Sequence, residues 1–447
     1  MSCKKLLYFV LFLQLSDCSA QVSDFMQLSN NNLEKLIISL KNDRQLPNDK
    51  LLSTLGRFSQ YSSLTKIGKD SIYYINDPAY GKIPFKLFIP ASYDPSKPNA
   101  LIVLLHGAVT LGTFEDGFRR NNQSQVDGDP FINAFRSKGY IILMPYADPA
   151  KKFNWVSADF TSRANATFNA LINLIKQVKR VLNIDDDRVF SYGHSDGSDG
   201  TFALDIYKSF EFAGFVAYNS MLTNLFADNI YLRNAVNRPL YLVHSDLDNL
   251  RPIQQTRLIV HILDSLKAPV TYKEYIGYKH FDRHLAKDFN NSIKFLDRTI
   301  RNPFLNSLYW ETNDTSNRRM DWINITGWDI QRPAASWHTE INVDSYDKNT
   351  NTWVKWPYFT DLDKSTAIRA VYNSNHFTIE TSRVTQFEIM LSPQMVDLDR
   401  NIEIVVNGKL VFNNKVSASN NFTIDNFLAN YDRKALWVNS IRIDVPK

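Results

Sequence analysis

Leu101-Ile102-Val103-Leu104-Leu105 is an unbroken apolar run with no polar face. Such a strand must be covered on both sides, which restricts it to the interior of a sheet with helices above and below. The pattern recurs along the chain. Tyr140-Ile141-Ile142-Leu143-Met144-Pro145 follows a helical stretch at 130–138, and a Leu-, Ile- and Val-rich helix at 168–182 leads into Asp187-Arg188-Val189-Phe190-Ser191-Tyr192. Gly214-Phe215-Val216-Ala217-Tyr218, Leu240-Tyr241-Leu242-Val243 and Val270-Thr271-Tyr272-Lys273-Glu274-Tyr275 come next, with helical spacing between them and again at 285–300. Alternation of this kind predicts an α/β fold built on a doubly wound, mainly parallel sheet. Ahead of it, residues 71–75 and 85–90 read as strand, turn and strand.

The flanks follow other patterns. In 21–70, Leu33, Leu36, Ile37 and Leu40, then Leu51, Leu52, Leu55 and Phe58, repeat at helical spacing around a break at Pro47-Asn48-Asp49. This segment is expected to pack beside the main domain at 71–300. After Arg301-Asn302-Pro303 the runs become short and alternating, and Asn407-Gly408 between Val405-Val406 and Lys409-Leu410 marks a hairpin. A C-terminal all-β, sandwich-like domain is predicted for 301–447. Residues 1–20 read as a secretory signal, with Lys4 and Lys5, an apolar stretch Leu6 to Leu15 and a small-residue exit at Cys18-Ser19-Ala20. Cleavage near Ala20 would give a secreted or periplasmic protein; acylation of Cys18 is the alternative. Both cysteines fall in that segment, leaving no thiol chemistry for the mature chain.

No later run approaches the roughly 20 apolar residues of a membrane helix, so no integral membrane span is expected. The formal charge of +5 is scattered and forms no basic stripe for nucleic acid. No histidine pattern suggests a metal, and no cofactor is expected.

Chemistry concentrates at Gly193-His194-Ser195-Asp196-Gly197, where a strand ends and a helix begins. A serine on so sharp a turn takes strained dihedrals, so the positions two before and two after it must lack bulk. A serine hydroxyl also needs a base, and the base an orienting acid. Asp248 follows the strand 240–243, with Asp246 as alternative and helix capping as the bland reading of both. His280 follows the strand 270–275, with His284 as competitor. His106-Gly107-Ala108 after the buried strand suits an oxyanion hole. The amide of Asp196 would be one donor and that of Ala108 or Val109 the other.

Residues 80–300 resemble the α/β-hydrolase family. The likeness is carried by Phe88-Ile89-Pro90 with Tyr93-Asp94, Leu105-His106-Gly107, Asp185-Asp187-Arg188-Val189, the Ser195 turn and His244…Asp248. They are most similar to its secreted esterase and prolyl-oligopeptidase-like branch, which includes polyhydroxybutyrate-depolymerase-like and feruloyl-esterase-like enzymes. The tail, from Arg301-Asn302-Pro303-Phe304 to Val406-Asn407-Gly408, resembles the β domain appended to such exported hydrolases. Ser245, often Gly in that family, and Arg251, commonly apolar there, depart from its pattern. The resemblance implies acyl transfer to water at Ser195, with a small-molecule or polymer-linked ester as substrate. Peptide hydrolysis is the alternative, disfavoured because 21–72 cannot build the propeller of a prolyl oligopeptidase.

The loop at 113–130, with Glu115, Asp116, Arg119, Arg120 and Asp127, is too polar for a lipase lid. Phe153, Trp155 and Phe160 are expected either to line a cleft or to be core. A third reading is an inactive protein whose C-terminal domain contacts polysaccharide or protein through Trp310, Trp322, Trp328, Trp337, Trp353 and Trp356.

Overall fold

The computed structural model describes residues 23–28, 30–62, 66–109, 114, 131–156, 166–221, 230–347, 350–357 and 364–446. The signal at 1–20, the polar loop residues 115–127 and Phe160 lie outside them.

Nine strands form one sheet: β1 (Ser23–Asp24), β2 (Asp70–Asp77), β3 (Gly81–Phe88), β4 (Asn99–Leu105), β5 (Ile141–Pro145), β6 (Ile184–His194), β7 (Gly214–Tyr218), β8 (Leu240–Ser245) and β9 (Val270–Tyr275). Their order is β1-β2-β3-β5-β4-β6-β7-β8-β9, and all pairs from β5 to β9 are parallel. β3 runs antiparallel to both β2 and β5. Leu101 to Leu105 are each at most 2% exposed, as a run without a polar face requires.

The accompanying helices are α1 (Asn31–Asn42), α2 (Asn48–Gly56), α3 (Ile132–Lys138), α4 (Ala166–Val181), α5 (Asp196–Lys208), α6 (Ile253–Ser265) and α7 (His284–Arg298). Successive side chains of β6 show that both faces are covered. Ser191 Oγ meets Thr201 of α5 at 2.9 Å, whereas Tyr192 reaches Ser292 of α7 at 2.8 Å. Phe135 of α3 lies against Phe289 of α7, and Phe168 of α4 against Tyr207 of α5. The sheet is therefore doubly wound. The chain leaves β4 for β5, then returns past β4 to β6 and proceeds to β9. Loops after β4 and β6 diverge at that reversal and open a crevice at the carboxyl ends of the strands.

Beyond 301 come β10 (Ser307–Thr312), β11 (Arg319–Met320), β12 (Ile323–Trp328), β13 (Asn342–Asp347), β14 (Thr352–Pro357), β15 (Thr366–Asn373), β16 (His376–Ser382), β17 (Val384–Leu391), β18 (Ile402–Val406), β19 (Lys409–Asn414) and β20 (Asn439–Asp444). Sheets β10-β15-β16-β18-β19 and β11-β12-β17-β20 enclose one core, where Trp310, Ile368 and Ile379 meet Ile323, Phe387 and Ile441. Asn407 and Gly408 both have positive φ, 50° and 79°, as a tight hairpin turn demands. Trp310 and Trp322 are fully buried in this core, so neither can grip a ligand.

A helix, α8 (Asn420–Asn430), joins the β elements here, capped by the Ser419 hydroxyl. It receives the N-terminal helices: Leu33, Ile37, Leu51 and Leu55 cluster with Ile424 and Phe427. The segment expected to lie beside the α/β part thus rests on the C-terminal part, while Phe25 enters the large sheet's core. Buried charges join the two parts. Arg301 pairs with Asp187 at 3.2 Å and Asp432 at 2.8 Å, and Arg433 with Asp186 at 3.1 Å.

Candidate active site

Ser195 stands between β6 and α5 with φ 59° and ψ −128°, a conformation that few side chains tolerate. Space around it explains both glycines. A Cβ on Gly193 would lie 2.2 Å from Gly197 O, and one on Gly197 would lie 1.9 Å from Leu105 O. The turn is therefore pressed against β4, and Gly107 just beyond β4 packs beside Ser195: a Cβ there would sit 3.2 Å from the serine Cβ.

Three of the sequence-predicted side chains meet. His280 Nε2 is 2.9 Å from Ser195 Oγ, and His280 Nδ1 is 2.7 Å from Asp248 Oδ2. Asp248 follows β8 and His280 follows β9, so each stands on its own loop at the crevice. Asp246 lies apart from them and accepts the Gly277 amide at 2.6 Å. His284 also stands back, with Nε2 on Asn219 Oδ1 at 2.8 Å.

Asp248 is held from several directions. Its Oδ1 accepts the amides of Leu250 and Arg251 at 2.9 and 2.8 Å, and its Oδ2 accepts Asn219 Nδ2 at 2.7 Å. Burial alone would raise its pKa, yet the hydrogen bonds from His280, Asn219 and the Arg251 amide outweigh it and hold the carboxyl at about 2. The capping reading does not hold: α6 starts after Pro252 without a side-chain cap, and the carboxylate instead closes the turn at Leu250 and Arg251 ahead of the helix.

Asn219, at φ 53° and fully buried, also donates to Ser245 Oγ at 2.6 Å. Burial drives His284 down to about 4. Neutral His284 donates from Nε2 to the Asn219 carbonyl oxygen, and this turns the Asn219 amide toward Asp248. His194, the variable residue inside the serine turn, donates its Nε2 hydrogen to His280 O at 2.8 Å. Burial first, and His280 second, push its imidazole down to about 3. Sequence reasoning missed Asn219 and His194. The only local signal was a polar residue at the end of an apolar strand.

The loop after β4 is set by His106. Its Nε2 accepts the Ala147 amide at 3.0 Å, so Nδ1 carries the hydrogen and donates to Gly107 O at 2.6 Å. Burial keeps this ring neutral, down to about 4. Ala108 follows with φ 51°. The Val109 amide is already engaged, donating to Asp196 Oδ2 at 3.0 Å. Of the two expected loop donors, Val109 is therefore spent on Asp196, whose own amide stands at the first position of α5. Phe153 and Trp155 are core side chains. Trp155 donates to His106 O at 3.1 Å and fills the space that a Cβ on Gly200 would need, 2.6 Å away.

No protein-family model matches the chain, and no curated protein does. Solved structures similar to it include a thermostable esterase, at 22% identity and TM-score 0.43 over 53% of this chain and 64% of that one. Dipeptidyl peptidase 4 of Porphyromonas gingivalis aligns at 14% and 0.41 over 52% and 36%. An S-formylglutathione hydrolase from Agrobacterium tumefaciens aligns at 11% and 0.42 over 54% and 99%. The chain spans under two thirds of that esterase and about a third of the peptidase.

Proposed function

We propose that the protein is a serine hydrolase of carboxylic esters. Support comes above all from one continuous relay, Ser195 Oγ to His280 Nε2 at 2.9 Å and His280 Nδ1 to Asp248 Oδ2 at 2.7 Å, on a serine held at positive φ. In the proposed reaction Ser195 Oγ attacks the acyl carbon as its proton passes to His280 Nε2. Anionic Asp248 keeps the other ring hydrogen on Nδ1 and steadies the imidazolium. The amides of Asp196 and Ala108 receive the negative oxygen. His280 returns the proton to the leaving alcohol, and water repeats the sequence in reverse to free the acid.

Esters are the preferred class because an alcohol leaves an acyl carbon more readily than an amine does, so this apparatus suffices without further devices. The pattern from Lys4 to Ala20 supports export. The test is a substrate panel on the purified protein: p-nitrophenyl acyl esters of two to eight carbons, S-acyl thioesters and dipeptidyl anilides, each with Ser195→Ala alongside. Ester turnover that vanishes in the variant supports the proposal. Turnover of anilides alone would move the protein to the peptidases, and equal turnover by the variant would remove Ser195 from the reaction.

A further inference from the structure

Arg251 stands where the resembling family commonly has an apolar residue, and its guanidinium is buried, with the residue 7% exposed. Such a group is not kept for stability alone, since a buried ion pair is about as stable as well-packed apolar side chains of similar volume. Its contacts, and those of the two aspartates it pairs with, tie together the loops after β4, β6, β7 and β8. The Arg251 amide donates to Asp248 Oδ1 at 2.8 Å, and its carbonyl accepts His244 Nε2 at 2.8 Å, so its backbone belongs to the acid loop. Its Nη2 contacts Asp196 Oδ1 and lies 3.0 Å from Asp199 Oδ2, one turn further along α5. Asp196 Oδ2 holds the Val109 amide in the loop after β4. Asp199 Oδ1 accepts Ser220 Oγ at 2.8 Å and the Met221 amide at 2.7 Å, in the loop after β7.

We propose that Arg251 is a positioning residue that fixes the oxyanion loop to the nucleophile turn by orienting the Asp196 carboxylate onto Val109. It rests on the serine-hydrolase reading. Without the guanidinium, two carboxylates three residues apart on α5 would face each other in a buried site, and Asp196 would swing to solvent. The Val109 amide would lose its acceptor. The neighbouring Ala108, held at φ 51°, would then be free to turn its amide away from the developing oxyanion. That donor acts on the transition state and not on the resting substrate, so its loss belongs in the acylation rate rather than in affinity. Lysine would restore the charge, but as a compact ammonium on a shorter stem and not as the guanidinium whose Nη2 lies between the two carboxylates.

The test compares Arg251→Met, Arg251→Lys, Asp196→Ala and the Met/Ala double variant in the full chain. Labelling by a fluorophosphonate is followed to saturation, with Ser195→Ala as blank. Arg251→Met is expected to lower the saturating rate about 100-fold, the size of one lost oxyanion donor, with the half-saturating concentration nearly unchanged. Arg251→Lys should recover part of that rate. The double variant should be no slower than Asp196→Ala, because both act through one contact. Wild-type rates in a folded Arg251→Met, a loss confined to half-saturation, or losses that multiply in the double variant would overturn the role of Arg251. Failure of the wild-type protein itself to label would instead overturn the hydrolase reading beneath it.

Discussion

Gly197→Ala is the sharpest local perturbation of the serine turn. Gly197 has ordinary helical φ, so conformation does not forbid alanine, and in a helix alanine would be favoured by about 1 kcal/mol. Space opposes it: the new Cβ would lie 1.9 Å from Leu105 O, where real Cβ contacts do not fall below 3.0 Å. Helix α5 must withdraw from β4 by roughly the difference, about 1 Å. Overpacking of this kind costs about 1–3 kcal/mol, which outweighs the propensity gain and leaves a net loss of up to about 2 kcal/mol. The same shift moves Ser195 away from His280, and a misplacement of about 1 Å costs on the order of 100-fold in rate. Thermal unfolding and the saturating rate of fluorophosphonate labelling measure the two effects separately. Gly107→Ala, whose Cβ would meet His194 O and Ser195 Cβ at 3.2 Å, is the milder comparison and should lose less in both. A Gly197→Ala protein that melts no lower than wild type and labels as fast would refute the packing account of the turn.

Asp248→Asn would face an amide toward Asn219 Nδ2 and His280 Nδ1, both donors, and force the imidazole into the wrong tautomer; ester turnover should fall by about 10⁴-fold with folding retained by circular dichroism. The depressed Asp248 carboxyl contributes stability that is present above its ordinary value of 3.8 and lost as pH falls through about 2. Asn219→Ala removes one of its donors, so the acid-induced loss of this stability, followed by circular dichroism, should begin at higher pH. Arg301→Met would leave Asp187 and Asp432 without their shared partner, and urea unfolding should show a loss of about 3–5 kcal/mol. Gly408→Ala, at φ 79° in the hairpin turn, should cost about 1 kcal/mol and leave turnover unchanged.

Much of the α/β layer was legible in the chain because its determinants are local. Leu101–Leu105 and Gly214–Tyr218 declare doubly buried strands by composition alone, and Gly193 and Gly197 declare the turn because no other residue fits there. Asp248 and His280 could be picked out by their order along the chain and their place after successive strands. What stayed hidden depends on contacts distant in sequence. The periodicity of Leu33, Ile37 and Leu40 reveals an apolar face but not that α8, far along the chain, will cover it. The engagement of Val109 by Asp196 could not be read either, since Ala108 and Val109 look alike until the loop is built. Asn219 and His194 act through hydrogen bonds to other loops, and a single polar residue at a strand end carries no such address.

The central claim is that Ser195 is an activated nucleophile. The most direct measurement is fluorophosphonate labelling of the purified protein, with the adduct located by peptide mass spectrometry. An active serine hydrolase gives a stoichiometric adduct on Ser195, slowed strongly in His280→Ala and absent in Ser195→Ala. A folded protein that takes no adduct, or takes it on another residue, would contradict the claim.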